Sequence, residues 1–443
     1  MLREACKASG VMGQVILIPK QVRDILDILH GAGYEAYVVG GCVRDALLAR
    51  KPQDWDITTN ATPQTVRKLF RRTVPTGIAH GTVTVLNGKT GYEVTTYRVD
   101  GVYEDARHPK DVTFTKSLEE DLKRRDFTIN AMAYNDADGL VDLFEGARDL
   151  EKKIVRCVGN PKERFSEDAL RMMRAYRFAA QLGFAVEKQT ADAAVALADT
   201  LQKISAERIR DELVKLLCSD HPEKISDLYE AGLTKWFLPE FDRCMETAQN
   251  NPHHVYSVGE HTVLALCAVR NDPALRLAML LHDIARPAGA VLRRLKFDNK
   301  TIKRVKNLVE HHDITIGREL TPQTVRGMMH TVGREDFPLL LEVMEADNAA
   351  KAPEVRTRLE EETKTLRSVY EQIVAANDPI ELKDLAVTGT DLMACGIPAG
   401  EEIGALLKRM LRDVLKNPAH NTKAYLLAPD KLLHFRKMQD KKA

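Results

Sequence analysis

Residues 37–58 read YVVGGCVRDALLARKPQDWDIT. An apolar run ends at Gly40-Gly41, Val-Arg-Asp follows, and two carboxylates, Asp54 and Asp56, stand one residue apart before Ile57 and Thr58. A glycine pair lets the backbone approach a ligand closely. Its peptide N–H groups suit phosphate oxygens when a helix opens there, and Arg44 adds a charge-assisted contact. On a strand, side chains at i and i+2 share a face. Asp54 and Asp56 would then repel each other unless a cation lies between them, and carboxylate oxygens favour hard divalent ions. Glu93, in GYEVTTYRVD, is placed to complete the set from a neighbouring strand. Two Mg2+ ions held in this way could activate an attacking hydroxyl and neutralise a leaving pyrophosphate. Each feature alone reads equally well as a turn or a strand end; their order and spacing carry the inference.

Working outward, the pattern predicts helices near 20–32 and 63–70 and strands near 36–40, 54–58, 82–86 and 91–98. After about residue 155 it turns helical. The fold class is therefore α+β: a small mixed-sheet head followed by a long all-α remainder. At 443 residues the chain should hold several domains. A net charge of +1 supplies no global field for nucleic acid, so such a partner needs a local patch. Residues 401–443 hold ten Lys/Arg against five Asp/Glu, a candidate patch. Seven scattered cysteines without a CxxC pair fit a reducing, cytoplasmic setting, with Cys42 a small packed side chain. No secretion signal and no apolar run of membrane-spanning length is read, so no membrane role is expected.

Further along, EDALRMMRAYRF places Arg171, Arg174 and Arg177 three residues apart. At ~100° per residue they share one arc of a helix with Asp168 beside Arg171, while Met172, Met173, Tyr176 and Ala180 face the core. The charged arc needs partners: it is either a structural ion-pair face or a reader of polar ligand edges. Cytosine and adenine both present an exocyclic amine beside an unprotonated ring nitrogen, whereas uracil and guanine present a carbonyl beside an N–H. An aspartate acceptor next to an arginine donor suits the first pair and rejects the second.

Five motifs in order, GGCVRD, DWDITT, EVTTYR, RRDFTINAMA and EDALRMMRAYRFAAQLGF, resemble the class II tRNA nucleotidyltransferases, the bacterial CCA-adding enzymes, within the poly(A) polymerase head superfamily. The resemblance implies a polymerase-β-like head, Mg2+, tRNA as acceptor, and CTP and ATP as donors. It implies Asp54, Asp56 and Glu93 as catalytic carboxylates, with Asp54 and Asp56 on the metals. Nucleotide contacts would come from Gly40, Gly41, Arg44, Arg125 and Asp126, and base selection from Asp168 and Arg171. Arg174 and Arg177 would steady the triphosphate or the helix. It further implies a catalytic head at 1–155, a base-reading neck at 156–220, a helical body at 221–375 and a tRNA-binding tail at 376–443. DGVYEDARHPKDVTF, 100–114, reads as a mobile loop. In the family such a loop helps the pocket change from CTP to ATP, and enzymes adding only the two cytidines tend to lack it, so the resemblance implies a full CCA-adding enzyme or one adding the terminal A, with a poly(A) polymerase as a further alternative.

HHVYSVGEH, LLHDIARP, EHHD and EADNAA resemble an HD phosphohydrolase region, with His261, His282, Asp283 and Asp347 as four metal ligands. No histidine falls between 282 and 311, and Arg286 stands where similar sequences carry Lys. The expectation is a retained but degenerate scaffold, with an active phosphohydrolase as the rival reading.

Overall fold

The computed structural model describes residues 15–101, 112–247, 257–284 and 287–438. The chain divides into two compact units, Met1–Asp242 and Arg243–Ala443.

In the first unit, α1 (Lys20–Gly31) carries Val22, Ile25, Leu26 and Leu29 at helical spacing, and all four are buried. Burying each contributes roughly 1.5–3 kcal/mol. There follow β1 (Ala36–Val39), α2 (Gly41–Leu47), β2 (Ile57–Thr59), α3 (Pro63–Leu69), β3 (Thr73–Gly77), β4 (Thr82–Asn87), β5 (Thr90–Thr96), β6 (Arg98–Asp100), β7 (Val112–Phe114), α4 (Leu118–Lys123), β8 (Met132–Asn135), β9 (Gly139–Asp142) and α5 (Gly146–Lys152). Seven strands form one mixed sheet in the order β3-β4-β5-β2-β1-β8-β9. Its β2 and β5 run parallel, while the other neighbours are antiparallel. Central β1 is buried along its whole length, and its Tyr37 and Val39 pack with Tyr97, Leu122 and Ala133.

Two local expectations are corrected. The strand expected from 54 to 58 begins only at Ile57; a bend at Gln53 and irregular backbone over 54–56 precede it. Sheet pairing reaches back to Asp56, whose carbonyl accepts from Val39 N at 3.0 Å. Asp54 lies outside the strand, so alternation does not fix its direction. The expected loop at 100–114 is flanked and entered by strands: β6 and β7 pair antiparallel, with Val99 opposite Thr113. Residues 102–111 of that loop lie outside the described residues.

The rest of this unit is mainly helical. A short parallel pair, β10 (Ile154–Val155) and β11 (Ala185–Val186), brackets α6 (Pro161–Glu167) and α7 (Leu170–Leu182). Then come α8 (Lys188–Ala196), α9 (Ala206–Leu217) and α10 (Ile225–Glu230), and the division between the units falls within α11 (Pro239–Glu246). Met172, Met173, Tyr176 and Ala180 of α7 are at most 4% exposed, as the arc argument requires. Gly183 ends α7 at φ +69°, and a Cβ there would sit 2.7 Å from His221 Nε2.

The second unit is built of helices: α12 (Val258–Ala268), α13 (Pro273–Leu281), α14 (Ala288–Arg294), α15 (Asn299–His311), α16 (Pro322–Val332), α17 (Phe337–Ala349), α18 (Pro353–Ala375), α19 (Gly389–Ala394), α20 (Glu401–Lys416), α21 (Lys423–Leu426) and α22 (Pro429–Lys437). Its starts are capped by side chains: Asp272 accepts from Ala274 N and Leu275 N, and Asp298 from Lys300 N and Thr301 N. Among the described residues no helix is long and apolar enough to cross a membrane.

Candidate active site

Gly40 leads from β1 into α2 at φ +82°, and a Cβ there would lie 3.0 Å from Arg125 Nη1. Any other residue would be strained and would push that guanidinium away. Parallel pairing sets Ile57 opposite Val94, so the preceding residues, Asp56 and Glu93, are neighbours at the same end of β2 and β5. Asp56 is open on one side yet loses water to its packed surroundings. That desolvation, then Glu93 and, less, Asp54, raise it above the usual carboxylate range, with Arg125 pulling the other way. A carboxylate that resists ionisation beside two others is what a divalent cation relieves, so these residues fit the ion expected of them. The three are more loosely gathered than a closed metal site: among the described residues, only His261, His282 and Asp283 bring three candidate ligand atoms within 4.8 Å.

Near Asp56 stands a buried carboxylate, Asp121, that the sequence reading passed over. Thr58, fully buried two positions after Asp56, donates to Asp121 Oδ2 at 3.1 Å. Asp121 is also fully buried; it accepts from Arg124 Nε at 3.0 Å and lies 3.5 Å from Arg125 Nη2. Burial would raise its carboxyl, but the two arginines hold it below its ordinary value. Its i, i+4 spacing from Arg125 was the one available signal.

A cavity of about 640 Å³ opens beside Gly41, Arg44, Asp54 and Asp56. Arg177 and Lys215 contribute from α7 and α9, and Arg50 and Lys51 from the α2–β2 connection. Carboxylates therefore meet five cations at one opening. Arg44 is tied into the protein, donating to Asn130 Oδ1 at 2.7 Å and Asp45 Oδ1 at 2.9 Å. Cys42 is 3% exposed and packed, as expected.

The arginine arc of α7 finds a carboxylate for each member. Arg171 Nη1 meets Glu167 Oε2 at 2.5 Å. Arg174 grips Asp126 Oδ2 through Nε at 2.8 Å and Nη2 at 2.5 Å. Arg177 Nε lies 2.5 Å from Glu212 Oε2, while its guanidinium stacks 3.7 Å from the centre of the Phe178 ring. Burial pushes Arg177 down to about 10, against the pull of Glu212. Asp126 Oδ1 accepts from Phe127 N and Asn130 Nδ2, so its lone pairs are largely spent inside the protein. Burial would raise it, but Arg174 holds it well below the usual range.

Asp168 departs from the expected geometry. It lies at the junction of α6 and α7 with extended backbone, not on the arc. Its Oδ1 accepts from Leu170 N at 3.0 Å and its Oδ2 from Arg208 Nη2 at 2.7 Å. Arg208 of α9 is its side-chain partner here.

In the second unit, His261 of α12, His282 and Asp283 at the end of α13, and Asp347 of α17 come together. His282 Nδ1 lies 2.7 Å from Met279 O and His261 Nδ1 3.3 Å from Ala350 O. A carbonyl only accepts, so each Nδ1 carries the hydrogen and both Nε2 atoms turn inward. Those two nitrogens are 3.2 Å apart. Asp347 Oδ1 is 2.9 Å from His261 Nε2, and Asp283 Oδ2 is 3.2 Å from His282 Nε2. Burial would lower His282, but the two facing carboxylates drive it up to about 10. A cavity of about 480 Å³ opens beside them, also lined by His312 and Lys351. Arg286 and residues 253–254 of the first histidine motif lie outside the described residues.

Known proteins share this design. A family model described as Poly A polymerase head domain matches residues 36–156, and one described as tRNA nucleotidyltransferase domain 2 matches 273–429. The CCA-adding enzyme of Levilactobacillus brevis is 37% identical over 416 residues, covering 92% of this chain and 96% of its own. That of Lactiplantibacillus plantarum is 38% identical over 421 residues, covering 94% and 95%. The structure of the Bacillus stearothermophilus CCA-adding enzyme in complex with CTP is 30% identical and superposes with a TM-score of 0.74 over 95% of this chain and 98% of that one. With head, mixed sheet and helices following these relatives almost from end to end, the chain belongs to the family of CCA-adding enzymes.

Proposed function

We propose that the cavity beside Asp54 and Asp56 transfers CMP and AMP from CTP and ATP to the 3′ end of tRNA, building CCA. The observation that carries this reading is the meeting at one opening of the crowded carboxylates with Arg44, Arg50, Lys51, Arg177 and Lys215. The tRNA 3′-hydroxyl attacks the α-phosphorus, the bond to the bridging oxygen breaks, and pyrophosphate leaves. Asp54 and Asp56, with Glu93 alongside, would hold two Mg2+ ions. Bound there, such ions make the attacking hydroxyl more acidic and neutralise charge on the pyrophosphate. The cations of the pocket take the triphosphate, and the Gly40–Gly41 turn lets backbone approach it. Arg125, anchored by Asp121, lies over that turn. Asp126 works through Arg174, which it fixes, and Arg171 steadies the helix that presents Asp168.

Asp168 accepts from the exocyclic amine of C or A and repels the carbonyl of U or G, serving as a protein template. Within the first unit, residues 1–155 act as head and 156–220 as neck; 221–375 and the tail 376–443, with its basic stretch at 401–443, hold tRNA by backbone and shape. The test uses tRNA transcripts ending before CCA, after C and after CC, each offered CTP, ATP, UTP and GTP singly and together in Mg2+. Completion of CCA on the first transcript is expected. Addition of A alone, to the third only, would reduce the reading to a terminal A-adding enzyme.

One observation favours a second, independent activity. The inward-facing Nε2 atoms of His261 and His282, with Asp283 and Asp347, form a ligand set for a divalent transition metal, the set expected of an HD-type phosphohydrolase. Metal content measured on purified protein should fall in H261A/H282A. Any phosphatase activity lost with it should survive D54A/D56A.

A further inference from the structure

The connection that carries Asp54 is tied to the end of α7 by one arginine. Beyond α2 the chain turns at Ala49, φ +54°, where Ala49 N and Arg50 N close onto Ala46 O and Asp45 O at 3.0 and 2.8 Å. An alanine takes that left-handed conformation only under strain. The next side chain, Arg50, reaches across to α7, its Nη1 donating to Gln181 O at 2.9 Å. Gln181 lies in the last turn of α7, where a helix leaves its carbonyls without N–H partners and favours a cation. From Lys51 to Trp55 the described chain makes no hydrogen bond; the next is at Asp56, whose carbonyl accepts from Val39 N at 3.0 Å. Residues 51–55, exposed Asp54 among them, thus hang between the Arg50 clasp and the start of β2. Gln181 is itself held in place, its Oε1 accepting from Arg177 Nη1 at 2.8 Å. Arg50, Gln181, Asp54 and Asp56 all border the same cavity.

We infer that Arg50 is a positioning residue for Asp54: by clasping the end of α7 it holds the connection so that Asp54 stays near Asp56 and Glu93 before any cation arrives. This rests on the reading above that Asp54 and Asp56 hold the metal ions. A connection ordered on folding does not lose its freedom again when an ion binds, so the clasp is expressed as ion affinity. An arginine serving only as one more contact to the triphosphate would be expressed as nucleotide affinity instead. The acceptor is a single carbonyl, which asks for a cationic donor of the right length and not for a planar fork.

The test titrates wild type, R50A and R50K with Tb3+ in the absence of nucleotide. Tb3+ takes the same oxygen ligands as hard divalent ions and luminesces when a nearby tryptophan is excited; Trp55, between the two carboxylates in sequence, is the antenna. The signal of the site is the part that D54A/D56A lacks. In parallel, CTP addition to tRNA lacking CCA gives the Mg2+ concentration for half-maximal rate and, at saturating Mg2+, the KM for CTP. R50A should weaken Tb3+ binding and raise the Mg2+ requirement by about 3- to 10-fold, the loss of one hydrogen bond. Its KM for CTP should stay within about twofold of wild type. R50K should recover most of the loss. Arg50 is exposed, so R50A should fold, with a wild-type urea midpoint. Wild-type Tb3+ and Mg2+ dependence in R50A, or a change confined to the KM for CTP, would overturn the proposal; the second result would leave Arg50 as a triphosphate contact. If D54A/D56A binds Tb3+ as wild type does, the metal reading itself fails, a result distinct from failure of the clasp alone.

Discussion

Removing Glu212 tests whether the arginine arc is held by paired charges. Glu212 and Arg177 are 5% and 9% exposed at the side chain, and Arg177 lies between Glu212 and the Phe178 ring. Truncation in E212A leaves the guanidinium buried with Gln181 Oε1 as its remaining side-chain hydrogen-bond acceptor, at 2.8 Å. Breaking a buried pair on one side costs about 3–5 kcal/mol. Because Arg177 borders the cavity, where water can reach it, the lower end, about 3 kcal/mol, is the expectation. Both tryptophans, Trp55 and Trp236, belong to the first unit, so their fluorescence follows its unfolding selectively. With a urea slope of about 3 kcal/mol per molar for a unit of this size, the midpoint should fall by about 1 M. E212Q, which keeps a neutral acceptor, should fall by about half as much. The double variant R177M/E212L removes both charges at similar volume and should return to within about 1 kcal/mol of wild type. A shift below about 0.3 M in E212A, or a double variant as unstable as the two singles summed, would refute the reasoning.

Three further outcomes are expected. D54A/D56A should abolish nucleotide addition, read on sequencing gels, while its urea midpoint stays at or above wild type, because removing crowded carboxylates relieves repulsion; residual addition within tenfold of wild type would disprove the carboxylate assignment. R174Q should expose the pH linkage of Asp126. Its carboxyl lies below its unfolded value in the folded chain, so the stability it contributes is present above about pH 4 and is lost as pH falls through the depressed value. The stability gap between wild type and R174Q should therefore be full at pH 7 and narrow below about pH 4; a gap constant from pH 7 to 3 denies the link. G183A must adopt φ +69° and displace His221, and should cost about 1–3 kcal/mol in the same fluorescence titration.

The sequence carried what local periodicity and motif order encode. The Gly40-Gly41 turn, the Asp56 and Glu93 pairing and the apolar side of α7 were all legible, because each depends on neighbours along the chain or on adjacent strands. The limits of β2 were not, because pairing with β1 and β5, partners distant along the chain, decides where the strand starts. Partner assignment was the larger gap. SAERIRDEL, 205–213, reads as an ordinary charged amphipathic helix, and nothing local says that Arg208 and Glu212 turn toward α7. Only the packing of α9 on α7 places Arg208 against Asp168, and Glu212 against Arg177. Histidines far apart in sequence were recognisable as a set, yet their convergence depends on carbonyls of Met279 and Ala350 that orient the rings, and backbone partners leave no mark in the side-chain pattern.

These pairings explain how a protein surface could do the work of a nucleic-acid template. A template must present its donors and acceptors in fixed directions before the base arrives, because a side chain free to rotate can turn an accepting group away from the wrong base and so stop rejecting it. Arginine alone is poorly suited to that, having several rotatable bonds. Here Arg171, Arg174, Arg177 and Arg208 are each held by a carboxylate within 2.8 Å, and Phe178 supplies a ring for three guanidiniums, those of Arg44, Arg174 and Arg177. The rotamer freedom is removed on folding, so it is not lost again at each nucleotide. The same reasoning orders the variants: loosening Arg174 or Arg177 should weaken all four nucleotides together, whereas disturbing Asp168 should change their ratio.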